Sequence, residues 1–444
     1  MPFSLSVKSA PYFFFYLLLV LLPVQLGRHF WPNEAYIFGI RIDYLSPIFY
    51  LSDLIIFLLF VFWSLQIVFG RKKIDKSKIL LLFSFPLSLV VSMVFSKDFS
   101  NSLYFVAKIF EMSLLALFIV TEIDFRKEIK KILIVLSFGV FWESILGIFQ
   151  FFSQRSLGLW VLGERSFSAQ TPGISLVDLD GRQLLRPYGT FPHPNLLGAF
   201  LALILPALLI LFFYAKSKSI FLFLTLIIGY LTLGLTFSRT SWLCGFGISF
   251  IVLGFFFRES RLKISKRIIL FFLAIVLLFI FIWPYFWQRL ISFSTTDSHS
   301  FILRLKLSSA AFLMFLNNPL FGIGPGNFLP NLPKYFKLSE TIRWLQPVHN
   351  IFLLVLSEVG LLGFFSFLGL FFWPFFKIFE KSKNSLVAKV FIFYFIAIFI
   401  MANLDHYLLT LQQGQLILWI FVGLSLSYLK YQNNQKRTPK TVLE

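Results

Sequence analysis

Long blocks of apolar residues alternate along the chain with polar connections. Blocks approaching the length of a bilayer crossing, about 20 residues, fall near 11–27, 47–69, 79–96, 103–121, 132–153, 196–214, 220–236, 241–257, 268–287, 350–375, 388–405 and 413–429. The pattern predicts an all-α fold, a polytopic transmembrane helix bundle of about 12 spans. Residues 1–444 then form a single transmembrane domain. Two long connections, 154–195 and 288–349, stand apart. Inside the second, the apolar stretch 307–316 is too short to cross. The segment "SFILRLKLSSAAFLMFLNN" is therefore expected as a helix lying on or dipping into the membrane surface. The first block reads as a retained span, because only Lys8 precedes it and no small-residue cleavage pattern follows.

Composition agrees with that picture. Hydrophobic residues make up 58% of the chain and charged residues only 14%, against about 25% charged in a soluble domain. A net charge of +20 raises the question of nucleic acid, and its placement answers it. Basic residues crowd into one alternate set of loops, among them Arg71–Lys78, Arg126–Lys131, Arg258–Arg267, Lys377–Lys389 and Lys430–Lys440. The two long loops belong to the other set and carry basic residues thinly. The positive-inside rule then puts both termini in the cytoplasm and both long loops outside. The excess charge is topology, and no nucleic-acid partner is expected. The single cysteine, Cys244, permits no intrachain disulfide and no thiolate metal site. No internal repeat is visible, which argues against transporters built from inverted repeats.

Polar residues in or beside spans are costly and by default mark function. Here they gather toward the predicted outer face. Arg239 lies in "TFSRTSW", a tight turn between two spans. The stretch "LLRPYGTFPHPNLLGAFLAL" supplies Arg186, His193 and Asn195 at the entry to another. Arg304 and Lys306 lie near the start of the surface helix, and "PLFGIGPGNF" follows as a glycine-rich turn. That turn lacks the Lys-Ser/Thr of a phosphate loop. "QPVHNIFLLVLSEVGLLG" places His349 and Asn350 at the start of a span and Glu358 inside it. Asp405 and His406 fall at the outer turn of the last hairpin. Arginine forks suit phosphate oxygens, and a site between oily helices suits a lipid tail. Together they point to a lipid phosphate or diphosphate.

Each residue also has a plain structural reading. Arg239 can anchor at headgroup level, and Arg186 and Arg304 can be structural. His349 can be a helix cap, and His193 a turn residue. Lys108 and Glu111, three apart, can pair on one helix face with Lys108 snorkelling outward. Glu143, Glu358 and Asp405 can serve helix packing. The functional reading gains from the candidates' complementary chemistry on one side of the membrane. Asp178 and Asp180 in "LVDLDG" imitate the D-x-D of metal-dependent sugar transferases. They sit in an outside loop where nucleotide sugars are scarce, and Gly181 marks an ordinary turn.

Four stretches in order, "RPYGTFPHPNLLGAFLAL", "TFSRTSW", "NNPLFGIGPGNF" and "HNIFLLVLSEVGLLG", carry a resemblance to the O-antigen ligase family. Its relatives are the O-antigen polymerases and membrane protein O-glycosyltransferases. The resemblance runs from about 186 to 363, and the first half of the chain matches only as a set of spans. It implies transfer of a glycan from an undecaprenyl-diphosphate-linked donor to an acceptor hydroxyl, without nucleotide, metal or cofactor. It implies a bacterial inner-membrane enzyme, multi-pass, with its site on the outer face. His349 matches the family's essential histidine, which follows the large extracytoplasmic loop. Arg239 matches the first essential arginine. Arg304 is the choice for the second over Arg289 and Arg343. His349 is then the general base, and Arg186, Arg239 and Arg304 bind the donor diphosphate. Asn195, Asn350 and Glu358 support them. One base with no carboxylate nucleophile beside it implies single displacement with inversion.

Membrane lipids and a lipid, glycan or protein acceptor complete the expected partners. Polymerase and protein transferase activities would use the same parts. A transporter or flippase would need ionisable residues lining a path to both faces, and only Glu143 favours that reading.

Overall fold

The computed structural model describes residues 9–70, 75–96, 98–179, 181–214, 219–259, 273, 276–277, 280, 283, 287–289, 295–335, 345–382 and 385–435. The helices relevant here are α1 (Ala10–Val20), α2 (Leu51–Gly70), α3 (Lys76–Val94), α4 (Phe99–Glu122), α5 (Phe125–Ser153), α6 (Pro194–Tyr214), α7 (Ile220–Leu235) and α8 (Arg239–Glu259). They continue with α9 (Thr295–Asn317), α10 (Ile351–Phe379), α11 (Leu386–Leu404) and α12 (Gln412–Gln435). Among the described residues, nine helices are long and apolar enough to cross a bilayer, and α1 and α7 are shorter apolar helices. The chain is an all-α, multi-pass membrane protein. Every predicted run other than 268–287 meets a helix, and that run lies largely outside the described residues.

Two predicted ends are corrected. α1 stops at Val20 instead of 27, and α2 begins at Leu51 instead of 47. Pro23 and Pro47 lie just beyond these ends, where the missing N–H and fixed φ of proline disfavour continuing a helix. The residues between them fold into two small antiparallel ladders, Gly27–His29 on Ile48–Tyr50 and Tyr36–Ile37 on Ile40–Arg41. A third hairpin, Leu176–Leu179 with Arg182–Leu185, occupies the first long connection. Its turn has Gly181 at φ +77°, with Asp178 accepting from the Gly181 N–H at 3.0 Å. That is the ordinary turn the sequence suggested, although Asp180 is outside the described residues.

Small residues let the central helices approach closely. A β-carbon on Gly198 of α6 would lie 2.7 Å from the Ser241 hydroxyl of α8, and one on Gly245 would lie 3.0 Å from Ala202. Gly198/Ala202 and Ser241/Gly245 are both spaced four apart, the small-residue pattern by which membrane helices pack without a hydrophobic drive. α9 buries Leu307, Ala310, Ala311 and Met314 and exposes Phe301, Leu305 and Phe312. This one-sided stripe packs against α10, and α9 is not among the bilayer-length apolar helices.

α10 is broken. Gly360 has φ +67° and ψ −163°, and the glycine-rich turn is threaded against the opening. Ile323 and Gly324 donate to the Ser357 and Glu358 carbonyls at 3.0 and 2.9 Å, and Leu361 donates to the Pro319 carbonyl at 2.8 Å. The Glu358 carboxylate accepts from the Gly326 and Phe328 N–H groups at 3.0 and 2.9 Å.

The two ends of the bundle differ in chemistry. One collects the first residues of α4, α6, α8, α10 and α12, joined by contacts such as Asn195–Asp405 and Asn350–Asn403. The other carries basic Arg126, Lys127, Lys130 and Lys131 at the start of α5, Lys377 near the end of α10 and Lys430 near the end of α12.

Candidate active site at one end of the bundle

Asn350 caps α10. Its side chain accepts from the Leu353 N–H at 2.9 Å, and its amide reaches the Asn403 carbonyl and side-chain oxygen, both at 3.3 Å. The cap therefore ties the start of α10 to the end of α11. His349, one residue earlier, is brought beside Asp405 and His406, which follow α11 directly. The His349 and His406 rings meet edge to face with centroids 5.2 Å apart. Donor atoms of His349, Asp405 and His406 all lie within 4.8 Å of one another. His349 Nδ1 is buried and has no hydrogen-bond partner among the described residues.

A second layer fixes the carboxylate. Asn195 Nδ2 donates to Asp405 Oδ2 at 3.0 Å, and the His406 N–H donates to Oδ1 at 2.9 Å. Asn195 is itself held by Arg186, whose Nη2 donates to its side-chain oxygen at 2.7 Å. Arg186 also donates from Nε to the Thr236 carbonyl at 2.7 Å and from Nη1 to the Ser175 hydroxyl at 2.9 Å. This buried arginine thus braces the entry to α6 against the turn before α8. His406 Nδ1 pairs with the Thr410 hydroxyl at 2.7 Å, and the Tyr44 ring stands edge-on to His406 at 5.5 Å.

Electrostatics follow from this burial. Burial, opposed by the Asp405 charge and reinforced by Arg304, holds His349 below the usual imidazole range. Burial pushes both His193 and His406 down to about 3. Burial works against the Asp405 charge, but the His349, His406 and His193 imidazoles and the Asn195 amide hold it below the usual carboxylate range. At neutral pH the group is one carboxylate among neutral imidazoles.

The structure thus joins His349, Asn350, Asn195 and Arg186 in one network, with the Arg304 charge reaching His349 and His406. Arg304 acts on both through its charge, with no hydrogen bond or ion pair seen for it among the described residues. Arg239 turns to the Arg289 carbonyl, with Nε at 3.0 Å and Nη2 at 2.6 Å. Arg343, an alternative considered for the second arginine, is outside the described residues. Glu358 clamps the glycine-rich turn and borders the same cavity as His193.

Lys108 does not snorkel. It is buried, ion-paired to Asp53 and 3.6 Å from Glu111, and Gln412 donates to the same Asp53 at 2.6 Å. Glu143 is bound by the Thr190 N–H at 3.0 Å and by its hydroxyl. Asp405 and His406 stood out in the sequence only as polar residues at a hairpin end, and Tyr44 gave no signal. The usable clue was the pairing of "HN" and "DH" at helix ends meeting on one side of the bundle. Beside this group lies a cavity of about 240 Å³ bordered by Tyr44, His193, Pro347, Arg165, Asn101 and Gln415.

Residues 224–368 match a family model described as O-antigen ligase. Over that stretch the chain is similar to the O-antigen ligase family. The stretch contains Arg239, Arg304, His349, Asn350 and Glu358, whereas Arg186, Asn195, Asp405 and His406 reach it from outside. No curated protein matches the chain.

Proposed function

We propose that the protein transfers a glycan from an undecaprenyl-diphosphate-linked donor to an acceptor hydroxyl, with His349 as general base. The observation that carries this reading is a half-buried imidazole whose Nδ1 is buried and unpartnered among the described residues, beside the fixed Asp405 carboxylate and within reach of the Arg304 charge. The acceptor hydroxyl loses its proton to His349 as its oxygen attacks the anomeric carbon. The bond from that carbon to the lipid-diphosphate oxygen breaks, and the leaving group keeps the electron pair. General-base assistance contributes about 10²–10⁴ in rate. Arg304 and Arg239 stabilise the developing diphosphate charge, each contributing up to about 3–4 kcal/mol. Arg186 acts as a positioning residue, since three of its donors are engaged inside the protein. Asp405 keeps His349 basic.

The sequence expectation of no carboxylate beside the base is corrected by Asp405, which lies beside His349. Both of its oxygens accept hydrogen bonds, from Asn195 and from the His406 N–H, so it orients the base and does not attack. The reaction is an inverting single displacement that needs no metal. The bundle end bearing His349 is the outer one, because the basic residues cluster at the other and mark it as cytoplasmic. The cavity beside His193 offers room and polar groups for a sugar of the glycan. A transport path through Glu143 is disfavoured, because that carboxylate is consumed by Thr190.

The test is glycan transfer by purified protein in detergent from a lipid-diphosphate donor with EDTA present. Wild type is active, and His349→Ala loses about 10²–10⁴ of the rate. Arg304→Ala and Arg239→Ala each lose about 10²–10³. The labelled acceptor distinguishes ligase, polymerase and protein transferase. Full activity in His349→Ala overturns the mechanism.

A further inference from the structure

His349, Asp405 and His406 have a second property that proton transfer does not require. Their donor atoms, two imidazole nitrogens and a carboxylate oxygen, lie within 4.8 Å of one another. They come from the starts and ends of different helices, so the grouping is tertiary. Each donor is prepared differently. His406 has Nδ1 occupied by Thr410 at 2.7 Å, which leaves Nε2, and that atom faces Asp405 Oδ1 at 3.9 Å. A ligating histidine with its other ring nitrogen hydrogen-bonded is the usual outer-layer arrangement of protein metal sites. Asp405 is aimed by Asn195 at 3.0 Å, and Asn195 by Arg186 at 2.7 Å. His349 offers one ring nitrogen to the group, and its Nδ1 is buried with no partner among the described residues.

We propose that His349, Asp405 and His406 form a site for a single zinc-class divalent transition ion, and that occupancy silences transfer. Two nitrogens and one oxygen suit zinc and its neighbours rather than calcium or magnesium, which demand oxygen ligands. Bonds of about 2.0–2.1 Å put tetrahedral donors about 3.3 Å apart, so the three must close by up to about 1.5 Å, a side-chain adjustment. Three protein ligands leave a fourth position for water. The ion takes the lone pair that would accept the acceptor's proton. The silencing clause, unlike the binding clause, rests on His349 being the base.

Chelator-stripped full-length protein in detergent is titrated with Zn²⁺ by calorimetry and with Co²⁺ by visible absorption. The expected result is one equivalent of Zn²⁺ per chain, with Co²⁺ giving the d–d bands of a low-coordinate nitrogen and oxygen site. His406→Gln and the near-isosteric Asp405→Asn each weaken binding at least about tenfold, and Thr410→Val weakens it about 10–100-fold through the lost orienting bond. Circular dichroism and gel filtration confirm that the variants are folded. Absence of stoichiometric binding to wild type overturns the site, as does unchanged affinity in both folded ligand variants. Transfer by the wild type falls in step with Zn²⁺ occupancy and returns with EDTA, and transfer unaffected at full occupancy overturns the silencing clause. Failure of the base mechanism shows separately, as activity of metal-free His349→Ala, while the binding measurements stay readable.

Discussion

Two opposing effects set the proton affinity of His349. Burial lowers it, and the Asp405 charge raises it. On the proposed mechanism the base works when neutral, so the acid limb of the kcat/KM profile falls below the ordinary imidazole value of about 6.5. Asp405→Asn removes the raising influence. The limb then moves to still lower pH and kcat drops, because a weaker base accepts the proton less readily. A profile unchanged by Asp405→Asn would break the link. The neighbouring histidines give a stability prediction. His193 and His406 sit near 3 in the fold, and imidazoles in the unfolded chain titrate near 6.5. Below about pH 6.5 the unfolded chain binds protons that the fold refuses. Their contribution is therefore complete above that pH and lost as pH falls toward 3, by up to about 1.4 kcal/mol per pH unit for each group. The melting temperature in detergent should drop between pH 7 and 5, and His406→Gln should flatten the slope. At this scale His349 and Arg304 stood out in the sequence by type and place as candidates. The sequence could not announce that Asp405 faces His349, because 55 residues separate them and only the packing of α10 on α11, with the Asn350–Asn403 tie, brings them together.

The glycine-rich turn and the broken helix α10 act as one element. Gly322 has φ +68°, and a β-carbon there would fall 2.3 Å from the Glu358 backbone carbon. Gly360 has φ +67°, and its β-carbon would fall 2.5 Å from Leu320. Alanine at either position incurs about 1–3 kcal/mol for the left-handed backbone and a similar cost for the overlap with main chain. Gly369, in the same helix, has open space around it, so Gly369→Ala should be neutral or slightly stabilising. Thermal melting of the three variants tests this ordering. Equal behaviour would mean that the turn is not inserted in α10. The sequence showed the turn through Gly322, Gly324, Pro325 and Gly326, and nearly every span through its apolar run. It did not show the break, because Gly360 in "SEVGLLG" looks like any small residue in a membrane helix, where glycine is common. It likewise blurred the ends of α1 and α2. Apolar residues continue past Val20, and hydropathy alone does not distinguish an apolar connection from the end of a span.

At the scale of the whole molecule, the mechanism depends on which way round the bundle sits. A base that served the cytoplasmic face would meet a different donor pool. The charges argue one orientation. Lys127 and its neighbours occupy the end of α5 remote from His349, and cytoplasmic loops carry the excess of lysine and arginine. The chain offers a clean way to test this. Its one cysteine, Cys244, is buried among the helices, so Cys244→Ala gives a background without thiols. Gln170→Cys places a thiol on an exposed position of the first long connection, and Lys127→Cys places one at the start of α5, where the native side chain is 78% exposed. A membrane-impermeant maleimide added to intact spheroplasts should label Gln170→Cys and spare Lys127→Cys, and lysis should expose both. The reverse pattern would put His349, Asp405 and His406 on the cytoplasmic side. That result would remove the reading of the site as an outer-face transferase while leaving its coordination chemistry intact.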